Sequence, residues 1–327
     1  MRTSPKTFYL SKSNYIMPKL LIGCGLVGSQ IARLLLEREE EVVIFDYSPR
    51  IDAMREIFDV SKAKIVQGDI LNPYDLFRIL REDNVDTVIH TAANPLLTLG
   101  AQRNPYQAIQ INILGTSNVL EAARIMDVKR VVFTSSNVIT MYSVKDNYGY
   151  LRTKTFYATT KLACELLGFN YMEYYGIEFI VIRFAAVIGP WKYGGGGGPT
   201  QRFKELIEKS IRGEKVTFPY TEMEYLYSKD AAKACVLATY SKSLKSYIYE
   251  IGMGRTCSSN EIVEIIRKKI PYANVEIVKE ADVSMRPITS KPSNLTPAKQ
   301  ELGFEPEYNM EKAIDDYIEW LKKNKYI

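Results

Sequence analysis

The chain has 327 residues, of which 46% are hydrophobic and 25% are charged, and its formal net charge is +5 at pH 7. These values are ordinary for a globular protein with one large α/β domain, or with one such domain and a smaller partner. The charge is modest and the Lys and Arg residues are scattered, so we predict neither a nucleic-acid partner nor a membrane role. No apolar run is long enough to span a bilayer.

Residues 1–16 are polar and basic but lack an apolar stretch and a small-residue cleavage site, so we predict a loose tail rather than a signal peptide. The four cysteines show no CxxC spacing, which favours reduced thiols in a cytoplasmic protein over disulfides or a metal site. The single histidine, His90, excludes a multi-histidine metal site, and its place in an apolar run favours a structural role. Acid–base chemistry therefore depends on Tyr, Lys or carboxylates.

Apolar runs of strand length alternate with helix-length segments between residues 17 and 190. The strand-like runs are KLLIG, EVVIFD, AKIVQGD, DTVIHTA, RVVFTSS and EFIVIRF. Their continuous apolar character indicates strands buried on both faces, and the alternation predicts a doubly wound parallel sheet of the Rossmann type. After residue 190 a glycine run and shorter elements predict a smaller mixed α/β substrate region, 191–327, part of which returns to the sheet.

The first strand-like run leads into Gly23, Gly25 and Gly28, a G-x-G-x-x-G pattern that opens a helix. Glycines there permit a tight turn and close approach to a dinucleotide pyrophosphate at the positive end of the helix. Asp46 ends the second run, where a carboxylate accepts hydrogen bonds from both ribose hydroxyls and repels a 2′-phosphate. The pattern predicts a dinucleotide-binding domain over 17–190 that prefers NAD to NADP, with Arg50 nearby as the opposing signal.

Tyr157 and Lys161 lie four residues apart in FYATTKLACE, which has the pattern of a helix. Residues at this spacing share a helix face, so one interpretation is a surface pair. The other is a proton-transfer device, in which the Lys161 ammonium lowers the pKa of the Tyr157 phenol toward neutral pH. Taken alone, the pair favours the surface interpretation.

With these motifs in order, the chain resembles the extended short-chain dehydrogenases/reductases, and more narrowly the NAD-dependent epimerase/dehydratase family typified by UDP-galactose 4-epimerase. The resemblance runs from about Lys19 to Trp320 and includes the segments GDI, HTAAN, NILGTSNVLEAAR, VVFTSS, IRFAAVIGP, YLYSKDAAKA and MRP. The resemblance favours the proton-transfer interpretation of Tyr157 and Lys161 over the surface interpretation. It implies a Rossmann fold, bound NAD, and a homodimer that pairs through the helices carrying the Asn112 and Tyr157 regions.

The resemblance implies roles for residues at matching positions. Tyr157 is implied as the acid/base, Lys161 as its electrostatic partner, and Ser136 as a hydrogen-bonding group at the reacting oxygen. Asn112 is implied as a catalytic residue on the nicotinamide side. The implied cofactor contacts are Gly23, Gly25, Gly28, Asp46, Asp69, Ile70, Thr91, Ala92, Ala93, Tyr157 and Lys161, and the implied substrate contacts are Ser136 and Arg286.

Among the positions that depart from the family pattern, four bear on the substrate or the reaction. Ala186 and Met223 stand where the family carries an Asn and an Arg that hold a nucleotide sugar, and methionine cannot replace a bidentate donor. Asn137 and Val138 replace the acidic pair of the 4,6-dehydratases, so we do not expect a dehydratase of that kind. The glycine run 194–198 fits either a hinge at the substrate mouth or a surface loop.

Three hypotheses about function follow from these patterns. The leading one is an NAD-dependent epimerase of a nucleotide sugar or related sugar, which oxidises a hydroxyl transiently and reduces it again. The second is an NAD-dependent dehydrogenase or reductase of a smaller hydroxy or keto compound, favoured by Ala186 and Met223. The third is a cofactor-binding scaffold without activity, against which the intact set Ser136, Tyr157 and Lys161 argues.

Overall fold

A seven-stranded parallel sheet forms the centre of the computed structural model, which describes residues 17–94, 97–193, 197–279 and 291–326. Its strands run in the order β12-β8-β5-β4-β1-β2-β3. The strands of this sheet are β1 (Lys19–Ile22), β2 (Val42–Asp46), β3 (Lys64–Gln67), β4 (Thr87–His90), β5 (Arg130–Ser136), β8 (Glu178–Phe184) and β12 (Ile248–Ile251).

The inner strands are buried because helices cover both faces of the sheet. In β1, for example, Leu21 packs into the core on one face and Leu20 into the core on the other, as the two-residue period of a strand requires. β3 is an edge strand and is only half-buried, so its apolar run is not covered on both faces. The predicted doubly wound Rossmann sheet is confirmed.

Helices of very different length connect and cover the strands. They are α1 (Leu26–Glu37), α2 (Ile51–Arg55), α3 (Pro73–Asp83), α4 (Leu97–Arg103), α5 (Pro105–Ala108), α6 (Gly115–Ile125), α7 (Val138–Met141), α8 (Phe156–Tyr175), α9 (Gly198–Ile211), α10 (Ser228–Tyr240), α11 (Ser259–Lys269) and α12 (Met310–Lys323). A 3-10 turn covers Val60–Lys62, and two π-helical segments cover Ile109–Leu114 and Ala298–Leu302. None of the helices within the described residues is long and apolar enough to cross a membrane.

Three small sheets complete the fold. The remaining strands are β6 (Ser143–Lys145), β7 (Leu151–Thr153), β9 (Ala186–Ile188), β10 (Lys215–Pro219), β11 (Glu222–Tyr227), β13 (Thr256–Ser258) and β14 (Asn274–Val278). β6 and β7 form a hairpin, β10 pairs with β14, and β11 lies between β9 and β13. β9–β11 and β13–β14 surround a core of their own, with Phe203, Tyr225 and Tyr317 at its centre.

The second half of the chain also contributes to the first domain's layers. β12 extends the central sheet beside β8, and α10 packs against α1. On the opposite face α3, α6 and α8 pack side by side. The strand order reverses between β1 and β4, and ligands of doubly wound sheets bind at the carboxyl ends of the strands at such a point.

Candidate active site

A cavity of about 1320 Å³ opens at this reversal point, at the carboxyl ends of β1, β2, β4 and β5. Small-molecule pockets are usually about 300–1,000 Å³, so this cavity has room for a cofactor together with a substrate. Residues from the second half of the chain form its far wall. The predicted residues that line it are Gly23, Gly25, Gly28, Asp46, Asp69, Ile70, Thr91, Ala92, Ala93, Ser136, Tyr157 and Lys161.

The glycine turn between β1 and α1 is packed too tightly for side chains at two of its three glycines. Gly23 has φ +89°, and a Cβ there would lie 2.7 Å from the Ala92 nitrogen. A Cβ at Gly28 would lie 2.2 Å from the Gly23 carbonyl oxygen. At Gly25 a Cβ would meet nothing within 4 Å. Gly25 therefore leaves open space that a ligand can approach.

The N-terminus of α1 faces this open space. Gly25 occupies the N-cap position, no side chain caps the helix, and its first turn carries no acidic residue. Free N–H groups and the positive end of the helix dipole form a site suited to a pyrophosphate. Thr91 stabilises the turn, because its hydroxyl donates to the Gly23 carbonyl oxygen at 2.6 Å. These features fit a dinucleotide.

Asp46 lies beside the turn at the end of β2. Its Oδ2 accepts a hydrogen bond from the Cys24 N–H at 2.7 Å, and its Oδ1 accepts one from the Ser48 N–H at 2.8 Å. Each carboxylate oxygen has a second lone pair for a ribose hydroxyl. The Arg50 guanidinium lies over the Tyr193 ring, 4.9 Å from its centroid.

Asp69 and Ile70 form the wall after β3. The Asp69 Oδ1 accepts from the Leu71 N–H at 2.9 Å, which closes a turn at the rim of the cavity. The Ile70 side chain is buried against Gly115, where a Cβ would come within 2.5 Å of it. An apolar wall of this kind suits the flat face of an adenine ring.

Tyr157 and Lys161 lie on the first turns of α8 and are 5% and 3% exposed. The helix begins there because the Thr155 side chain accepts a hydrogen bond from the Ala158 N–H and so caps it. The Lys161 ammonium donates to the Thr134 carbonyl oxygen at 2.8 Å and lies 5.9 Å from the centroid of the Tyr157 ring. This pair is therefore buried in the cavity wall and is not a surface pair.

The prediction that Lys161 lowers the pKa of Tyr157 is wrong for the protein without bound NAD. Burial raises the pKa of Tyr157 above its usual value, because the phenolate would lose its hydration. Burial also lowers the pKa of Lys161 to about 8. The ammonium bonds a backbone carbonyl rather than the phenol, so proximity along the helix does not make Tyr157 acidic. In the free protein Tyr157 is a neutral phenol.

Ser136 ends β5 on the same side of the cavity as Tyr157 and Lys161. Its Oγ accepts a long hydrogen bond, 3.3 Å, from the Val138 N–H. The hydroxyl hydrogen remains available for a ligand oxygen. His90, at the end of β4, has a structural environment: its Nε2 lies 3.0 Å from the Thr116 hydroxyl, and burial lowers its pKa to about 3.

Asn112 lies behind the cavity rather than in its lining. Its Oδ1 accepts from the Asn94 N–H at 2.8 Å, and its Nδ2 donates to the Thr160 hydroxyl at 3.0 Å. The residue sits in the π-helical segment Ile109–Leu114, a widening typical of functional regions. Its side chain ties the loop after β4 to α8, and its catalytic role stays a prediction.

Sequence reasoning missed a buried ion pair next to Lys161. The Glu165 carboxylate, one turn further along α8, accepts two hydrogen bonds from Arg183 on β8, at 2.9 and 2.5 Å. It also accepts from the Ser135 hydroxyl at 2.5 Å. The network ties α8 to β5, which carries Ser135, and to β8, which carries Arg183. The sequence signal that could have revealed this ion pair is Arg183, a charged residue inside the apolar run EFIVIRF.

The substrate side of the cavity is lined by Ala186 and Met223, where the family pattern has an Asn and an Arg. Gly197 and Gly198, at the start of α9, line it as well. Arg286 and residues 194–196 of the glycine run lie outside the described residues.

The fold and the site are those of a Rossmann-type dinucleotide-binding enzyme. Residues 20–252 match the model of the NAD dependent epimerase/dehydratase family, and the chain belongs to that family. The resemblance inferred from the sequence is thereby confirmed, and so is NAD as the cofactor.

Known relatives cover almost the whole chain. A putative UDP-glucose 4-epimerase of Methanocaldococcus jannaschii is 28% identical over 92% of this chain and 97% of its own length. A UDP-glucuronate 4-epimerase of Thermodesulfobacterium geofontis is 27% identical over 92% of this chain and 94% of its own. The crystal structure of Thermus thermophilus UDP-glucose 4-epimerase in complex with NAD has a TM-score of 0.77 at 23% identity, and covers 92% of this chain and 99% of that one. The structural likeness supports the fold.

Proposed function

We propose that the chain is an NAD-dependent epimerase of a nucleotide sugar, with Tyr157 as the acid/base. The observation that carries this proposal is the common cavity: the glycine turn at one end and Ser136, Tyr157 and Lys161 at the other line one continuous space. Relatives that span the chain act, by their names, on UDP-glucose and UDP-glucuronate.

When bound, NAD supplies a hydride acceptor that is restored within the cycle, and a positive charge that favours a nearby phenolate. In this proposal Tyr157, ionised once NAD is bound, would take the proton of the reacting sugar alcohol during oxidation and return it during reduction. The Ser136 hydroxyl donates to the same oxygen and orients it. The Lys161 ammonium adds a buried positive charge and, through Thr134, holds its own position. The dry cavity wall strengthens each of these interactions.

Epimerisation further requires that the oxidised sugar present both faces to the same site. The roomy substrate side, lined by Ala186 and Met223 rather than by an amide and a guanidinium, permits such a rotation. The same two residues favour a second candidate, a dehydrogenase or reductase of a smaller hydroxy or keto compound. Such a substrate does not need the lost diphosphate contacts.

One assay distinguishes the two candidates. Purified protein with NAD is incubated with UDP-glucose or UDP-galactose, and NMR follows the sugar while absorbance follows NADH. The proposal expects the other epimer to form without net NADH. Net NADH formation with a small hydroxy compound, and no change in any nucleotide sugar, would favour the second candidate.

We also propose that the chain forms a homodimer through α6 and α8. These helices pack together, and large apolar side chains are exposed on them and on the π-helical segment that leads into α6. Leu166 on α8 is 57% exposed, and Ile109 and Leu114 on the π-helical segment are 43% and 49% exposed. Light scattering at micromolar concentration tests this proposal, and Leu166→Glu is expected to give monomers. A monomeric wild-type protein would overturn it.

A further inference from the structure

Asn137 directly follows Ser136 and lines the same cavity. The residue is 7% exposed, and its Oδ1 is a buried oxygen with no hydrogen-bond partner among the residues that the structure describes. An unpaired buried acceptor costs about 1–3 kcal/mol, so such an atom in a ligand cavity calls for a partner. The proposed mechanism does not use it.

The orientation of the Asn137 amide is set by two neighbours. Its Nδ2 donates to the Ser293 Oγ at 2.8 Å. The Ser293 hydroxyl in turn donates to the Glu224 Oε2 at 2.5 Å, and the Ser293 N–H donates to the same oxygen at 2.7 Å. The chain of bonds runs from Asn137 through Ser293 to Glu224.

The direction of these bonds follows from the chemistry of the last member. The Ser293 hydroxyl gives its one hydrogen to the Glu224 carboxylate, which also accepts from the N–H groups of Ser293 and Gly254. The Ser293 oxygen is then left as an acceptor, and the Asn137 amide must turn its NH₂ group toward it. The Asn137 oxygen is thereby left as the group that a ligand can bind. Reversing the amide would break its hydrogen bond to Ser293.

Space for the carboxylate is built into the fold. A Cβ at Gly252 would lie 2.2 Å from the Glu224 Oε1, and the Gly254 N–H donates to that oxygen at 2.7 Å. Glu224 therefore occupies a fitted pocket between β11 and the loop after β12. The direction of the hydrogen bonds from Asn137 to Glu224 is therefore fixed at Glu224.

Resting on the proposed function, we infer that Asn137 is a specificity-determining residue that accepts a hydrogen bond from a neutral, donor-bearing substituent of the sugar. A hydroxyl group satisfies its oxygen. A carboxylate oxygen at the same place would meet another acceptor, which is unfavourable. The substrate class is therefore a nucleotide-linked neutral hexose rather than a hexuronic acid.

The test compares UDP-glucose with UDP-glucuronate as substrates for the NAD-loaded wild type and three variants. The wild type should have a kcat/KM at least tenfold higher for UDP-glucose. Asn137→Ala should lower kcat/KM for UDP-glucose about tenfold and leave that for UDP-glucuronate within a factor of about three. Ser293→Ala frees the amide to reverse and should reduce the preference several-fold. Ser210→Ala is the matched control and should leave the ratio unchanged, because the buried Ser210 hydroxyl has no hydrogen-bond partner within the described part of the chain.

The outcomes separate this inference from the function on which it rests. Epimerisation with a preference for UDP-glucuronate, an equal loss for both sugars in Asn137→Ala, or an unchanged ratio in Ser293→Ala would overturn the inference and leave the epimerase intact. If neither sugar nor its epimer is converted, the proposed function fails and the inference fails with it. Thermal unfolding of each variant shows whether the fold is retained.

Discussion

The two ends of the cavity are built in different ways. The dinucleotide end consists mainly of backbone, contributed by the turn from Gly23 to Gly28 and by short loops after β2, β3 and β4. The reaction end consists of side chains from α8 and β5, held by a buried ion pair between Glu165 and Arg183. We expect the first end to recognise a ligand by shape and N–H groups, and the second to adjust charge and proton position.

This difference teaches where each end is sensitive to change. At the dinucleotide end the space available to a Cβ decides whether a residue is tolerated. At the reaction end burial determines the protonation state, since it keeps Tyr157 neutral and lowers the pKa of Lys161 to about 8. Substitutions that preserve shape should therefore matter little at the first end and a great deal at the second.

The largest effect is expected for Tyr157→Phe, which removes one oxygen from the reaction end. Turnover should fall by about 10²–10⁴, the usual contribution of an acid/base group, with NAD binding and thermal unfolding almost unchanged. Tyr171→Phe, on the same helix with its hydroxyl on Glu121, is the matched control and should retain full activity. Normal turnover in Tyr157→Phe would contradict the acid/base role proposed for Tyr157, and with it the expected sensitivity of the reaction end to single side chains.

Arg183→Met should lower the free energy of unfolding by about 3–5 kcal/mol, because it leaves the Glu165 carboxylate buried without its partner. Its counterpart is Arg124→Met, which breaks a surface pair with Glu121 and should cost less than about 1 kcal/mol. Urea unfolding monitored by circular dichroism gives both values. Equal costs would mean that the pair behind the reaction end has no special importance.

Gly28→Ala and Gly25→Ala test whether the space available to a Cβ decides which residues the dinucleotide end tolerates. The first places a Cβ 2.2 Å from the Gly23 carbonyl and should destabilise the turn by about 1–3 kcal/mol even without NAD. The second has no neighbour within 4 Å, so unfolding without NAD should be unchanged. Calorimetric titration with NAD should then show weaker binding for Gly25→Ala, since the new methyl occupies ligand space. A stable turn in Gly28→Ala would contradict this packing.

The last prediction concerns pH, where stability changes gradually rather than through a substitution. Burial lowers the pKa of Lys161 from 10.5 to about 8, so the unfolded chain binds more protons between these values and stability should rise with pH in this window. The slope from this one group is at most about 1.4 kcal/mol per pH unit. Urea unfolding of the NAD-free protein between pH 7.5 and about 10 should show this rise, and Lys161→Met should lack it. A parallel pH dependence in both proteins would show that Lys161 is not desolvated as described.

Much of the fold and the cofactor end follows from local sequence. Continuous apolar runs predict buried parallel strands, and the glycine spacing predicts the turn, since both depend on neighbours a few residues away. The reaction end depends on burial and on partners distant in sequence. The Thr134 carbonyl that binds Lys161 and the Arg183 that binds Glu165 come from β5 and β8, so the sequence around Tyr157 predicts the wrong direction for its pKa. The partners of Asn112 could not be predicted either, because Asn94 and Thr160 lie on other elements.

The central claim is a transient oxidation at the carbon that is inverted, with Tyr157 exchanging only the hydroxyl proton. Conversion of UDP-glucose by the NAD-loaded protein in D₂O, followed by NMR of the product, tests this claim directly. We expect an epimeric product with no deuterium on any sugar carbon and no net NADH. Deuterium on the inverted carbon would show exchange with solvent and would contradict it.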